Sequence, residues 1–236
     1  GNLLTAPRPG HGDYPGFIRY NGFNDIRGGG HFSGRLTAPI VFAGSVCRQI
    51  LEKKGIKIAS HIQSVGKVCD SRFNPLKIDE GLIDSLNKQS FPVIDPSSEP
   101  KMREYIENAR MSQDSTGGVI ECAATGVPAG IGSPMFGGVE NLISSIMFGI
   151  PAVKGIEFGA GFAITEMLGS QANDQYAYDE NGRVVTLSNN NGGITGGITN
   201  GMPILFRIAV KPTPSISKPQ QTVDLTKHEN TELVIH

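Results

Sequence analysis

The sequence predicts a single α+β domain over residues 1–236, and three observations carry that prediction. Segments whose apolar residues recur every three to four positions alternate with short β-prone runs. No connection between them is long enough to suggest separate domains. A chain of 236 residues is long enough to bury one good core.

Taken in order, the first 35 residues are turn-rich, with Pro7, Pro9, Pro15 and the Gly28-Gly29-Gly30 run, and read as irregular backbone feeding a helix. From Thr37 to Lys54 the residues Ala43, Val46, Cys47, Ile50 and Leu51 fall on one helical stripe closed by Gly55, so Cys47 is expected in the core. Ile56 to Val65 reads as a strand returning along that helix. Helices follow over Ile78 to Lys88 and Glu99 to Gln113, the second with Met102, Tyr105, Ile106 and Ala109 on one stripe and Ser97 or Ser98 as cap. Gly118 to Ala124 is a strand. Val139, Leu142, Ile143, Ile146 and Met147 repeat the helical spacing, and Ile204 to Val210 is a further strand entering the proline-rich stretch from Lys211 to Pro219. The remainder is polar with short β-prone pieces.

Composition removes several function classes. With 21 basic against 22 acidic side chains there is no global field demanding nucleic acid. No apolar run approaches the ~20 residues that span a bilayer, and the N-terminus lacks the layout of a signal peptide, so no membrane partner is expected and the cytoplasm is the expected compartment. Cys47, Cys69 and Cys122 form no CxxC pair, which suits a reducing environment and predicts no metal site. His61 and His228 are expected to be ordinary surface or packing histidines.

Three stretches concentrate chemistry. Arg8-Pro9-Gly10-His11-Gly12-Asp13-Tyr14 packs a guanidinium, an imidazole and a carboxylate between residues that fix or free the backbone; it is either a proton-handling anion site or a turn whose histidine bonds its own loop. Arg27 to Thr37 is a glycine-rich run into the first helix, where unpaired N–H groups with Ser33, Arg35 and Thr37 suit an anion, although a plain turn capped by Thr37 reads equally well. It has neither a Walker ending nor GxGxxG spacing after a strand. The third stretch is Asn189 to Gly201, then a strand, then Lys211-Pro212-Thr213-Pro214-Ser215-Ile216. Its paired glycines either let backbone touch a flat heteroaromatic ligand, with Lys211, Thr213 and Ser215 reaching a phosphate, or make surface hairpins.

In this order and spacing the three stretches resemble chorismate synthases, whose sequences carry an RPGHADY-type segment, a GGxxSxR segment before a helix, and GGIxGGI followed by KPTxSI. The likeness extends over Thr125 to Gly132, Pro151 to Glu157 and Gly169 to Asp174. It implies a β-α-β sandwich with helices between antiparallel sheets, a homotetramer, and a phosphate lyase of the shikimate pathway. That enzyme converts 5-enolpyruvylshikimate 3-phosphate to chorismate with reduced FMN, with NADPH a further candidate for reducing the flavin. By the same likeness His11 is the proton-handling residue, and Arg8 and Arg35 bind the anionic substrate. His31, Phe32, Ser33, Pro151, Ala152, Gly196, Lys211, Pro212, Thr213, Pro214 and Ser215 match positions that contact flavin.

The chain departs from the family pattern at Gly12, where alanine is common, at His31-Phe32, where Arg-Ser is common, at Gly34 for alanine and at Leu36 for glutamate. The family's upstream Gly-x-Ser-His-Gly segment and downstream GRHDPC-type segment do not occur in these 236 residues. The resulting expectation is a central portion, truncated at both ends and poorly active alone. The alternative is a catalytically incompetent fragment that acts only as a flavin- or phosphate-binding module.

Overall fold

The computed structural model describes residues 5–25 and 27–235; residues 1–4, 26 and 236 lie outside it. Its centre is a five-stranded antiparallel sheet in the order Val68–Cys69, Lys57–Val65, Gly118–Thr125, Ile204–Val210 and Val153–Phe158. In chain order the helices are α1 (Asp13–Arg19), α2 (Ala38–Glu52), α3 (Glu80–Leu86), α4 (Ser98–Met111), α5 (Val139–Phe148) and α6 (Gly169–Ala172). The strands are β1 (Lys57–Val65), β2 (Val68–Cys69), β3 (Gly118–Thr125), β4 (Val153–Phe158), β5 (Tyr176–Tyr178), β6 (Val184–Thr186), β7 (Ile194–Thr195), β8 (Ile198–Thr199), β9 (Ile204–Val210), β10 (Gln220–Asp224) and β11 (Glu229–Leu233). β5–β6, β7–β8 and β10–β11 pair as antiparallel hairpins. Helices with antiparallel sheets make the α+β class that the periodicities predict.

The two-residue period of β3 and β9 gives the sheet two different faces. Ile204, Phe206 and Ile208 pack with Ile120, Cys122 and Ala124 and with Val139, Ile143 and Met147 of α5. On the other face Ala59, Ala123 and Leu205 pack with Phe73 and with Ile83 and Leu86 of α3. Asp79 caps α3 by accepting from the Leu82 N–H at 3.2 Å, which satisfies one of that helix's orphan donors. A third cluster seats Met102 of α4 against Val65 and Val93.

That second face also carries a charged row. Across four strands His61 lies opposite Glu121, Glu121 opposite Arg207, and Arg207 opposite Glu157, so the charges alternate where cross-strand neighbours are closest. Arg207 meets Glu157 at 2.6 Å. His61 is completely buried, with Nδ1 at 2.9 Å from Asp70 and Nε2 at 2.9 Å from Glu121. Of the two alternatives expected, His61 is thus a packing histidine, held between two acids, and His228 is a surface one.

α2 forms where the spacing predicts it and ends at Gly55, whose φ of +79° is the left-handed stop that glycine adopts without cost. Its stripe is not buried: none of its residues is, and Ile40, Val46, Ile50 and Cys47 are exposed. The expectation that Cys47 lies in the core is thus corrected. Periodicity reports that one face is apolar; whether a partner covers that face is a separate matter, and among the described residues the main neighbours of α2 are β1 and the turn before it. Also among the described residues, no helix is long and apolar enough to cross a membrane, and no group of three His, Cys, Asp or Glu could hold a metal ion.

The irregular N-terminal stretch is held by the C-terminal hairpin. Leu225 N–H donates to Thr5 O at 2.9 Å, and Thr222 Oγ1 donates to Pro7 O at 2.5 Å. These bonds fix the backbone just before Arg8.

Candidate active site

The segment after Thr5 turns sharply at Gly10, whose φ is +72° and whose Cβ, if present, would lie 2.8 Å from Pro214 Cβ. Only glycine meets both demands. The turn folds the segment back on itself, so that Asp13, in the first turn of α1, receives Arg8 N–H at 3.0 Å, Nε at 2.8 Å and Nη2 at 3.0 Å. The pair is mutual: bonding to Asp13 holds the Arg8 guanidinium above its ordinary pKa. Burial works to raise the Asp13 carboxyl, but the bonds from Arg8 outweigh it and keep the pKa low.

The same turn presents His11. Its Nδ1 lies 3.0 Å from Pro9 O; a carbonyl only accepts, so Nδ1 carries the hydrogen and neutral Nε2 is the acceptor. Ser215 Oγ donates to that Nε2 at 2.9 Å across 204 positions of sequence. Burial is the largest influence on the imidazole and pushes its pKa down, joined by Arg8 and Lys211, against the Pro9 carbonyl and Asp13. His11 is therefore neutral near pH 7, with a basic nitrogen facing a cleft.

Lys211 closes the other side. It leaves β9 at its C-terminal end, its N–H donates to Ala152 O at 2.9 Å, and its Nζ donates to Gly10 O at 2.6 Å. Ala152 has φ +74°, a left-handed conformation that costs a residue with a Cβ about 1–2 kcal/mol, and it sits between α5 and β4.

The cleft has a volume of about 620 Å³, within the roughly 300–1,000 Å³ of cofactor sites. Arg8, His11, His31, Phe32, Ser33, Pro151, Ala152, Lys211, Thr213, Pro214 and Ser215 all line it. Thus three segments widely separated in sequence converge on one cavity. Three of the matched positions are placed otherwise. Pro212 lies between two lining residues without lining the cavity itself. Arg35 lines a neighbouring cleft of about 340 Å³ together with Tyr20, His31 and Phe32. Gly196 sits in the turn of β7–β8, next to Gly197, whose carbonyl accepts from Val139 N–H at the start of α5. The cleft adjoins Phe148, at the far end of that ten-residue helix, about 15 Å away.

The chorismate synthase family model matches residues 1–236. The chain belongs to the chorismate synthase family. It is 49% identical over 232 residues to chorismate synthase of Pyrococcus abyssi, covering 98% of this chain and 63% of the relative. It is 48% identical over 231 residues to that of Thermococcus gammatolerans, with the same two shares of 98% and 63%. The chain thus spans a little under two thirds of the length of these relatives. A solved structure described as a crystal structure of chorismate synthase superposes with a TM-score of 0.77 at 33% identity, over 85% of this chain and 62% of that one.

Against the chorismate synthase likeness the structure adds residues that the sequence did not single out as site residues. Asp13 orients Arg8, and its signal was available: a carboxylate five positions on, across a Pro-Gly turn. Phe148 and Gly149 line the cleft at the end of α5, and nothing in their local sequence separates them from an ordinary helix end.

Proposed function

We propose that the cleft is the flavin and substrate site of a chorismate synthase, which removes phosphate and a proton from 5-enolpyruvylshikimate 3-phosphate by 1,4-elimination to give chorismate. The observation that carries this reading is His11, held as one tautomer between Pro9 and Ser215 in a cavity that also presents Arg8 and Lys211.

The residues fit reduced FMN. Ser33, Thr213, Ser215 and Lys211 are donors suited to a phosphate tail, and Phe32, Pro151 and Ala152 give an apolar wall suited to a flat ring system. When bound, reduced FMN supplies a transient electron donation with no net redox change. The remaining work falls to the chain. Lys211 compensates the charge of phosphate oxygens. Arg8 has its Nε and one terminal nitrogen committed to Asp13, so it acts as a rigid cation presenting its remaining edge. His11, neutral and basic at Nε2, takes up or returns a proton in the cleft, with the Ser215 hydroxyl turning from donor to acceptor as it does so. Association into a homotetramer, a cytoplasmic location and reduction of the flavin by NADPH belong to the same proposal.

The commitment of Arg8 to Asp13 supports a second reading, in which this stretch binds flavin or phosphate without turning substrate over. Anaerobic titration with FMN, oxidised and reduced, with and without the phosphorylated substrate, separates the two. Tightened binding with substrate together with chorismate formation supports the lyase; binding without product supports the module; no binding by the folded chain overturns both.

A further inference from the structure

The charged row on the second face of the sheet borders a cavity of its own. Arg72 and Arg207 both line a space of about 500 Å³ together with Phe73, Met167 and Leu187, and it shares no lining residue with the cleft around His11. The Arg207 side chain is only 14% exposed and meets Glu157 through one terminal nitrogen; its Nε is enclosed without a hydrogen-bond partner. Arg72 is 47% exposed, and its Nε lies 3.5 Å from Glu121 Oε1, too long for a strong hydrogen bond. Neither guanidinium makes a further hydrogen bond or ion pair among the described residues. A guanidinium carries five N–H donors, so most of the donors of this pair are unmet.

The acids of the row do not make up the difference. Glu121 gives its other oxygen to His61 and to Phe73 N–H, and Glu157 gives its other oxygen to Phe162 N–H. Burial and the nearby charge of Arg72 hold the Arg207 guanidinium below its ordinary pKa, against the pull of Glu157 and Glu121. This cation is undercompensated where it stands.

We propose that the cavity is a second ligand site, for a small carboxylate carrying an apolar body, with Arg72 and Arg207 as the pair that holds the anion. A guanidinium edge matches a carboxylate, and Phe73, Met167 and Leu187 supply the apolar surround. Glu121 and Glu157 stand beside the two cations, so a singly charged carboxylate is favoured over a doubly charged phosphate. The volume falls within the roughly 300–1,000 Å³ of small-molecule sites. The site does not depend on the flavin reading of the other cleft.

Calorimetric titration of the whole chain with sodium benzoate, against sodium chloride at the same ionic strength, tests this. The parent and Lys211→Ala, which removes a cation of the other cleft, should bind benzoate alike. Arg72 is half-exposed and its removal leaves the Arg207–Glu157 pair in place, so Arg72→Ala should keep the thermal midpoint of the free chain and weaken benzoate binding about tenfold. Arg72→Lys, which keeps the charge and loses the fork, should weaken it less, and inorganic phosphate should bind the parent more weakly than benzoate does. No saturable benzoate binding by the folded parent, or binding untouched by both Arg72 variants, overturns the site. Loss of binding in Lys211→Ala with retention in Arg72→Ala puts the anion in the other cleft and overturns it too. Phosphate bound as tightly as benzoate overturns the assignment of an apolar carboxylate.

Discussion

His61 Nε2 and Glu121 Oε2 lie 2.9 Å apart with neither side chain open to solvent beyond 5%, on residues directly opposite in β1 and β3. Burial raises the Glu121 carboxyl, but the bonds it accepts from His61 and from Phe73 N–H outweigh this, and its pKa is lowered. Removing the imidazole takes one partner from each of two acids in the interior, leaving Asp70 with the N–H groups of Ile94 and Asp95 and Glu121 with Phe73 N–H and Arg72. His61→Ala should therefore cost about 3–5 kcal/mol, read from urea unfolding monitored by circular dichroism.

The lowered Glu121 pKa also sets an acid limb. Stability from a depressed carboxyl is complete above its unfolded pKa and is lost as pH falls through the folded one. The midpoint in urea should drop more steeply on acidification below about pH 4.3 in the parent than in Glu121→Gln.

His11 acts at higher pH. Its folded pKa lies below the ordinary value, chiefly through burial, so the unfolded chain takes up this proton first. The contribution of neutral His11 is complete above about pH 6.5 and declines as pH falls below it. Unfolding followed from pH 7.5 to 5 should show that decline in the parent, and a shallower one in His11→Gln.

How far the sequence could foresee this structure depends on what each residue's neighbours decide. α2, α3, α4, α5, β1, β3 and β9 follow from local period and caps. The missed elements have little period to show: α1 begins in a Pro-Gly turn and β4 contains Gly155; β10–β11, expected only as short β-prone pieces, is polar and stabilised by its clamp on Thr5 and Pro7. For the site, the pattern named the chemistry-bearing residues, and eleven of its matched positions share one cavity. What it could not supply were distances. The Arg8 pair with Asp13 and the position of Gly196 at the other end of α5 both depend on tertiary placement.

The cysteines give a chemical check on burial. Cys47 and Cys69 are exposed, whereas burial within the sheet pushes the Cys122 thiol up to about 12, far from the thiolate form that reacts. Two of the three thiols should titrate promptly with a disulfide reagent at pH 8 in the folded protein, and Cys122 only when the chain is unfolded.

Ala152 carries its strain in the lining of the cleft. Since φ is +74° there, Ala152→Gly should leave the fold intact and raise stability by up to ~1 kcal/mol in urea unfolding. A loss of stability would mean that the methyl group's packing outweighs the backbone strain.

The central claim, that His11 faces the flavin site, is tested most directly by nitrogen-15 NMR of the histidine side chains during FMN titration. The free protein should show His11 with hydrogen on Nδ1, and on adding FMN its ring signals should move while those of His61 and His228 stay in place. Saturable flavin binding that leaves the His11 signals unmoved would contradict the assignment of this cleft.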